Sequence, residues 1–161
     1  MMWSFLSPTK GAMSLTEVVE DILLDIRNKP SDDFRLMIGT DSQPKESGRS
    51  VTFVSAIISH RVGKGARYYI HKDRENHLFS LRQRMFTEAA YSLQLGGMLS
   101  EEFQERGETR PIQVHLDIGE RGATKQMIRE IVSWITASGY EAMIKPDSFC
   151  ASKVADRYTK S

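Results

Sequence analysis

Phe34-Arg35-Leu36-Met37-Ile38-Gly39-Thr40 is a short apolar run that stops on Asp41-Ser42-Gln43-Pro44. The run reads as a buried strand, and the four residues after it have turn chemistry. Val51 to Ser59, rich in Val, Ile, Phe and Thr, reads as a second strand. Gly63-Lys64-Gly65 predicts a hairpin turn and Arg67 to His71 a third strand, so three antiparallel strands form a meander. Upstream, Ser14-Leu-Thr-Glu17 has the form of a capping box. Behind it, Leu15, Val18, Val19, Ile22, Leu23 and Ile26 follow a helical rhythm that ends near Asn28–Pro30. Its outer face is acidic, with Glu17, Glu20, Asp21 and Asp25.

Downstream, a long helix is expected from about His77 to Gln104, with Ser80–Gln83 as its cap and Gly96-Gly97 as a bend or end. Pro111 to Leu116 alternates as a fourth strand and stops at Asp117. Thr124 to Ser138 reads as a helix closed by Gly139, Tyr140 to Ile144 as a last strand, and Phe149 to Tyr158 as a short terminal helix. Two strands reached by helical crossovers add in parallel to the same sheet. The expected fold is α/β: a mixed five-stranded sheet, three strands antiparallel and two parallel, flanked by helices, with an extra helix at the N-terminal end. Residues 1–13 read as a tether and 14–161 as one domain, with its N-terminal helix at 14–30 and its core at 34–160. Trp3, Phe5 and Leu6 of the tether either pack on the domain or anchor a homodimer.

Composition bounds the function. The 161 residues suit a single domain, and 40% hydrophobic with 27% charged residues is ordinary for a globular chain. A net charge of +1 points to no strongly charged partner. The single cysteine, Cys150, excludes an internal disulfide framework and a Cys-rich zinc site. No run is apolar enough for a membrane span and the first residues lack a signal-peptide pattern, so a cytoplasmic protein with no membrane partner is expected.

The carboxylates are the candidates for chemistry. Singly, a strand-end Asp also reads as a turn residue or helix cap, and Glu88 as an edge residue with its head in water. Asp41 and Asp117 end strands expected to lie parallel and adjacent, so they share one end of the sheet. Glu88 falls on the stripe Leu81, Met85, Glu88, Ser92, Leu95, Leu99 of the long helix, most of which is apolar. A buried unpaired charge there costs several kcal/mol, so something must compensate it. Three carboxylates meeting at one rim raise one another's pKa unless cations are bound, and all-oxygen ligation suits Mg²⁺ or Mn²⁺.

Ile38-Gly-Thr-Asp41-Ser-Gln43, Phe86-Thr-Glu88-Ala-Ala90, Val114-His-Leu-Asp117-Ile-Gly119 and Ala151-Ser-Lys-Val-Ala-Asp156 occur in an order that resembles the ribonuclease H-like superfamily. More narrowly, Gly39-Thr-Asp-Ser-Gln43, His115-Leu-Asp-Ile-Gly119 and Lys145-Pro146 resemble a family of short, uncharacterised bacterial proteins of that superfamily. The resemblance implies a nuclease using two Mg²⁺ or Mn²⁺ ions. Asp41 would bridge them, Glu88 and Asp117 would complete one shell and Asp156 the other, with Asp147 as the competitor for that last role. It implies hydrolysis of nucleic acid (RNA, DNA or hybrid) to 5′-phosphate and 3′-hydroxyl ends. Ser42 departs from the Gly that ribonucleases H proper usually carry there. No mobile His occurs within 145–155, and a basic substrate-gripping insertion is absent. These departures argue against hybrid specificity more than against the metal site.

From His60 to Arg84, seven basic residues (Arg61, Lys64, Arg67, Lys72, Arg74, Arg82, Arg84) face two acids (Asp73, Glu75), a local +5. This stretch either tracks phosphates or blunts a sheet edge. Ser42, Gln43, Arg67, Lys72, Arg121 and Lys145 are the candidate substrate contacts, with a structural ion pair the competing role for Lys145. His115 reads as a packed residue rather than a ligand. A non-catalytic binding module of the same fold is the alternative. An actin-like ATPase half lacks its second domain, and a proofreading-type exonuclease needs Glu where Gln43 stands.

Overall fold

The computed structural model describes residues 3–117, 125–144, 154 and 158. Its strands are β1 (Ser4–Ser7), β2 (Gly11–Ser14), β3 (Phe34–Lys45), β4 (Ser50–Arg61), β5 (Gly65–Glu75), β6 (Ile112–His115) and β7 (Glu141–Met143). Its helices are α1 (Leu15–Asn28), α2 (Leu81–Glu105) and α3 (Lys125–Ala137). Among the described residues they form one mixed sheet in the order β2-β1-β5-β4-β3-β6-β7. β3, β4 and β5 are the antiparallel meander, while β6 lies parallel to β3 and β7 parallel to β6.

The sheet has seven strands, not five. The two additional strands come from the segment read as a tether. Residues 4–14 form a hairpin, with Phe5 opposite Met13, and Leu6 pairs with Ile70 of β5. The hairpin covers the β5 edge, which would otherwise expose unpaired backbone groups. Phe5 is 2% exposed and packs in the main core, and the Trp3 ring lies 4.3 Å from His71. Phe5 and Trp3 thus pack on the domain, while Leu6 stays 54% exposed.

Alternation along the strands divides the sheet into two faces. Leu36, Ile38, Ile57 and Tyr69 face α1 and α2, meeting Val19, Ile22, Leu23, Leu95 and Leu99 in the principal core. Val114 and Leu116 face α2 and α3, meeting Met85, Ala89, Ile131 and Ile135. Met37, Val54, Ala56, Ile58 and Ile70 point the other way, where Val154 and Tyr158 pack. No described helix is long and apolar enough to cross a membrane.

Both capping boxes form: the Ser14 and Ser80 hydroxyls accept from the backbone N–H of Glu17 and Gln83, whose side chains reach back. α2 runs unbroken through Gly96-Gly97, where a bend or end was expected. Gly96 serves packing instead, since a Cβ there would stand 3.1 Å from the Tyr140 ring. The acidic face of α1 is divided: Glu17 and Glu20 are exposed, whereas its other two acids are buried. Asp21 and Asp25 are each 7% exposed and bond to the sheet and the hairpin.

If the β1–β2 hairpin belongs to the domain, Phe5→Ala should destabilise the protein by about 3 kcal/mol or more, the usual cost of emptying a buried Phe site. Equilibrium urea denaturation measures it, and a passive tether would leave the midpoint unmoved.

Candidate functional site

β3 runs past Asp41 to Lys45, beyond the strand end expected at Thr40, and pairs with β4 along its whole length. β6 pairs only with Leu36–Gly39. On its β6 side, β3 therefore has no strand partner beyond Gly39 among the described residues, which also suits Pro44 in a strand. Gly39 pairs with His115, the last residue of β6, so Asp41 and Asp117, each two residues further on, lie toward the same end of the sheet. Asp41 is buried and Asp117 half-buried.

Glu88 reaches this rim from α2, half-buried. Its Oε2 accepts a hydrogen bond of 2.5 Å from Ser42 Oγ. Arg84, one turn earlier on α2, donates through Nε to Ser42 Oγ and through Nη2 to the Ser42 carbonyl, both at 3.1 Å. Arg84 thus fixes Ser42, and Ser42 fixes Glu88. One turn further along α2, Ser92 Oγ lies 2.8 Å from Thr40 Oγ1, which lies 2.9 Å from Ser55 Oγ. A line of hydroxyls therefore pins α2 to β3 beside the carboxylates.

Burial is the largest influence on Glu88 and pushes its carboxyl up to about 8. The Ser42 hydrogen bond and the Arg84 charge pull it down, while the negative charges of Asp41 and Asp117 raise it further. The three acids of the sequence motifs therefore share one electrostatic neighbourhood. Among the described residues, however, no three His, Cys, Asp or Glu side chains gather into a group that could hold a metal ion. Asp156, the expected fourth acid, its competitor Asp147, and the candidate contacts Arg121 and Lys145 lie outside the described residues.

Gln43 follows Asp41 on the same face, half-buried. Lys72 shares that face too: Asp41 pairs with Val54 and Val54 with Lys72, which places Lys72 two strands away, about 10 Å. Ser42 points to the other face and holds Glu88 rather than lying open for substrate. Arg67 is not at the rim. It sits five residues along β5 from Lys72 and pairs with Asp21 and Asp25 of α1.

The locally basic stretch is largely neutralised by acids distant in sequence. Arg61 and Lys64 pair with Asp32, Arg74 with Glu46, and Arg82 with Glu130. The Asp21 carboxyl illustrates the balance: burial would raise it, but hydrogen bonds from Lys10 and Tyr69 and the charge of Arg67 hold it below its ordinary value. His115 is a packed residue, 3% exposed, and burial lowers its imidazole to about 4. It stays neutral at physiological pH, its Nε2 3.1 Å from Gln113 Oε1.

The positioning role of Arg84 was not read from the sequence, where it counted only as one of seven cations. Its signal is the spacing: Arg84 stands four residues before the one acid on the buried stripe, so both lie on one face of the helix.

A family model described as Ribonuclease H-like matches residues 17–160. The chain is also similar to the uncharacterized protein YkuK of Bacillus subtilis (strain 168), at 36% identity over 170 residues that cover 97% of this chain and 96% of the relative. No solved structure matches the chain.

The raised Glu88 carboxyl makes a signed prediction for metal-free protein. Between the ordinary value of 4.5 and about 8, the folded state holds a proton that the unfolded state has lost. Stability from this group is complete below 4.5 and is lost as pH rises through about 8. Glu88→Gln should remove that component. The urea midpoint of the variant relative to wild type should therefore climb across this window and then level off. A difference independent of pH would contradict the assignment.

Proposed function

The chain belongs to the ribonuclease H-like family, and from that premise we propose that it is a divalent-cation-dependent nuclease hydrolysing phosphodiester bonds of nucleic acid (RNA, DNA or hybrid). The observation that carries the reading is the treatment of Glu88. A carboxylate on a buried stripe is held in place by the Arg84–Ser42 pair while two further carboxylates raise its pKa. Such an arrangement works against the metal-free protein and in favour of a cation.

The donors fit Mg²⁺ or Mn²⁺, since Asp41, Glu88 and Asp117 offer only hard oxygens and His115 is buried and neutral. Asp41, Glu88 and Asp117 would hold the ions, with Asp156 as the fourth ligand and Asp147 the alternative. The chemistry supplied by two bound ions is a water of lowered pKa and charge stabilisation at the departing 3′-oxygen, which gives 5′-phosphate and 3′-hydroxyl products. The protein's own share is positioning. Ser42 fixes one carboxylate oxygen of Glu88, and Arg84 keeps Ser42 from turning away. Gln43 and Lys72 lie on the Asp41 face, where an amide and an ammonium suit the flanking phosphates of a strand.

A non-catalytic nucleic-acid-binding or protein-binding module of the same fold is the second reading. The observation in its favour is that Gln43 and Lys72 share the Asp41 face, where they can contact a strand whether or not a bond is cleaved. Turnover separates the two.

Labelled single strands, duplexes, hybrids and branched DNA should be tested with Mg²⁺ and Mn²⁺. Cleavage of at least one is expected. Asp41→Asn and Asp117→Asn should each lower it by more than about 100-fold, because even outer partners of metal ligands are worth about 10–100-fold. Arg84→Ala should fall within that outer range. Folded wild type that binds nucleic acid, cleaves none of it and binds unchanged after Asp41→Asn would establish the second reading instead.

A further inference from the structure

We propose a second ligand site, for a phosphate group, at the opposite end of the sheet between the last turn of α1 and the β4–β5 hairpin. It does not rest on the nuclease reading. A cavity of about 160 Å³ opens there, with Ser59, Lys29, Arg61, Lys64 and Arg67 around it. Asp25 is the one acid in its lining among the described residues. These four cations pair with three carboxylates, Asp25 in the lining and Asp21 and Asp32 beside it, so the walls keep a surplus of one positive charge. The negative end of the α1 dipole, about half a charge, does not cancel that surplus.

The cations are held apart rather than collapsed onto one another. Lys29 and Arg67 pair with Asp25, and Arg67 also with Asp21. Arg61 and Lys64 share Asp32, which stands behind the wall. An Arg carries five N–H donors and a Lys three, so these pairings fix the side chains and still leave donors for a ligand. Ser59 adds an independent sign. It is 2% exposed, and its Oγ has no hydrogen-bond partner among the described residues. Leaving a buried hydroxyl unpaired is costly, and a ligand oxygen at the cavity floor would relieve it. Gly65 is also in the lining and brings no side chain into the space.

Cations surrounding a small cavity with a hydroxyl on its floor suit a tetrahedral oxyanion, which accepts several charge-assisted hydrogen bonds at once. Ser59 pairs with Leu36, five residues before Asp41, and faces α1, whereas Asp41 faces away from it. The pocket is therefore about 17 Å along the sheet from the carboxylate rim and on the other face. The phosphate could belong to a free small molecule or to a nucleic-acid strand.

The test is calorimetric titration of the full chain with inorganic phosphate, in chelator so that no cation bridges phosphate to the carboxylates. A chloride titration at matched ionic strength is the control. Saturable binding specific to phosphate is expected. Ser59→Ala and Lys64→Gln should each weaken it about tenfold, the worth of one hydrogen bond to a charged group. Lys64 lies on an exposed turn, so its variant decides the matter if Ser59→Ala does not fold. Competition by a mononucleotide assigns the pocket to a free ligand, and competition only by an oligonucleotide assigns it to a strand. Either supports the site. No binding beyond the chloride control, or wild-type binding by folded Lys64→Gln, would overturn it.

Discussion

The rest of the site depends on one constraint: Glu88, on the buried side of a long helix, must be satisfied where water is scarce. An uncompensated carboxylate in that position is among the costlier features a core can carry. The compensation comes from the strand it faces. Ser42 donates to Glu88 and accepts from Arg84, so one hydroxyl ties the helix to β3 and sets the direction of the carboxylate. Ser92, Thr40 and Ser55 continue the same polar contact one turn further on. Helix and strand are thereby fixed where, among the described residues, β6 has stopped, at the end of the sheet toward which Asp41 and Asp117 lie.

The same logic, with opposite signs, governs the other end of the sheet. The chain is close to neutral overall, yet its charges are segregated in sequence and reunited by the fold. Asp21 and Asp25 of α1 meet Arg67, and Asp32 meets Arg61 and Lys64. Exposed ion pairs add little stability, but Asp21 and Asp25 are buried, and Tyr69 donates to Asp21 from within the core. Charge pairing here anchors α1 to the meander and arranges a cationic wall.

Much of this was legible in the residues. The strand–helix order from β3 onward followed from periodicity, Asp41, Glu88 and Asp117 stood out as charges in the wrong places, and the parallel addition of β6 followed from the crossover rule. What escaped depended on tertiary pairing. Residues 4–14 are too short and too mixed to announce a hairpin, and become strands because the β5 edge accepts them. Asp41-Ser42-Gln43-Pro44 has turn residues yet continues as strand, since β4 pairs with it throughout. The basic stretch looked uncompensated because its acids are distant in sequence, and the pairing of Asp21 and Asp25 with Arg67 was hidden for the complementary reason. Ser42 was singled out as a departure from the Gly of ribonucleases H proper. Its hydrogen bond to Glu88 gives that departure a physical reason that no motif states.

The most direct measurement is the number of protons released when Mn²⁺ binds, obtained by calorimetric titration near pH 7 in buffers of different ionisation enthalpy. A cation must displace the proton that a carboxyl titrating at about 8 still holds. Saturable binding with release of about one proton, absent in Glu88→Gln, is the expected result. Saturable binding with no proton release, or no binding at all, would contradict a cation site assembled around Glu88.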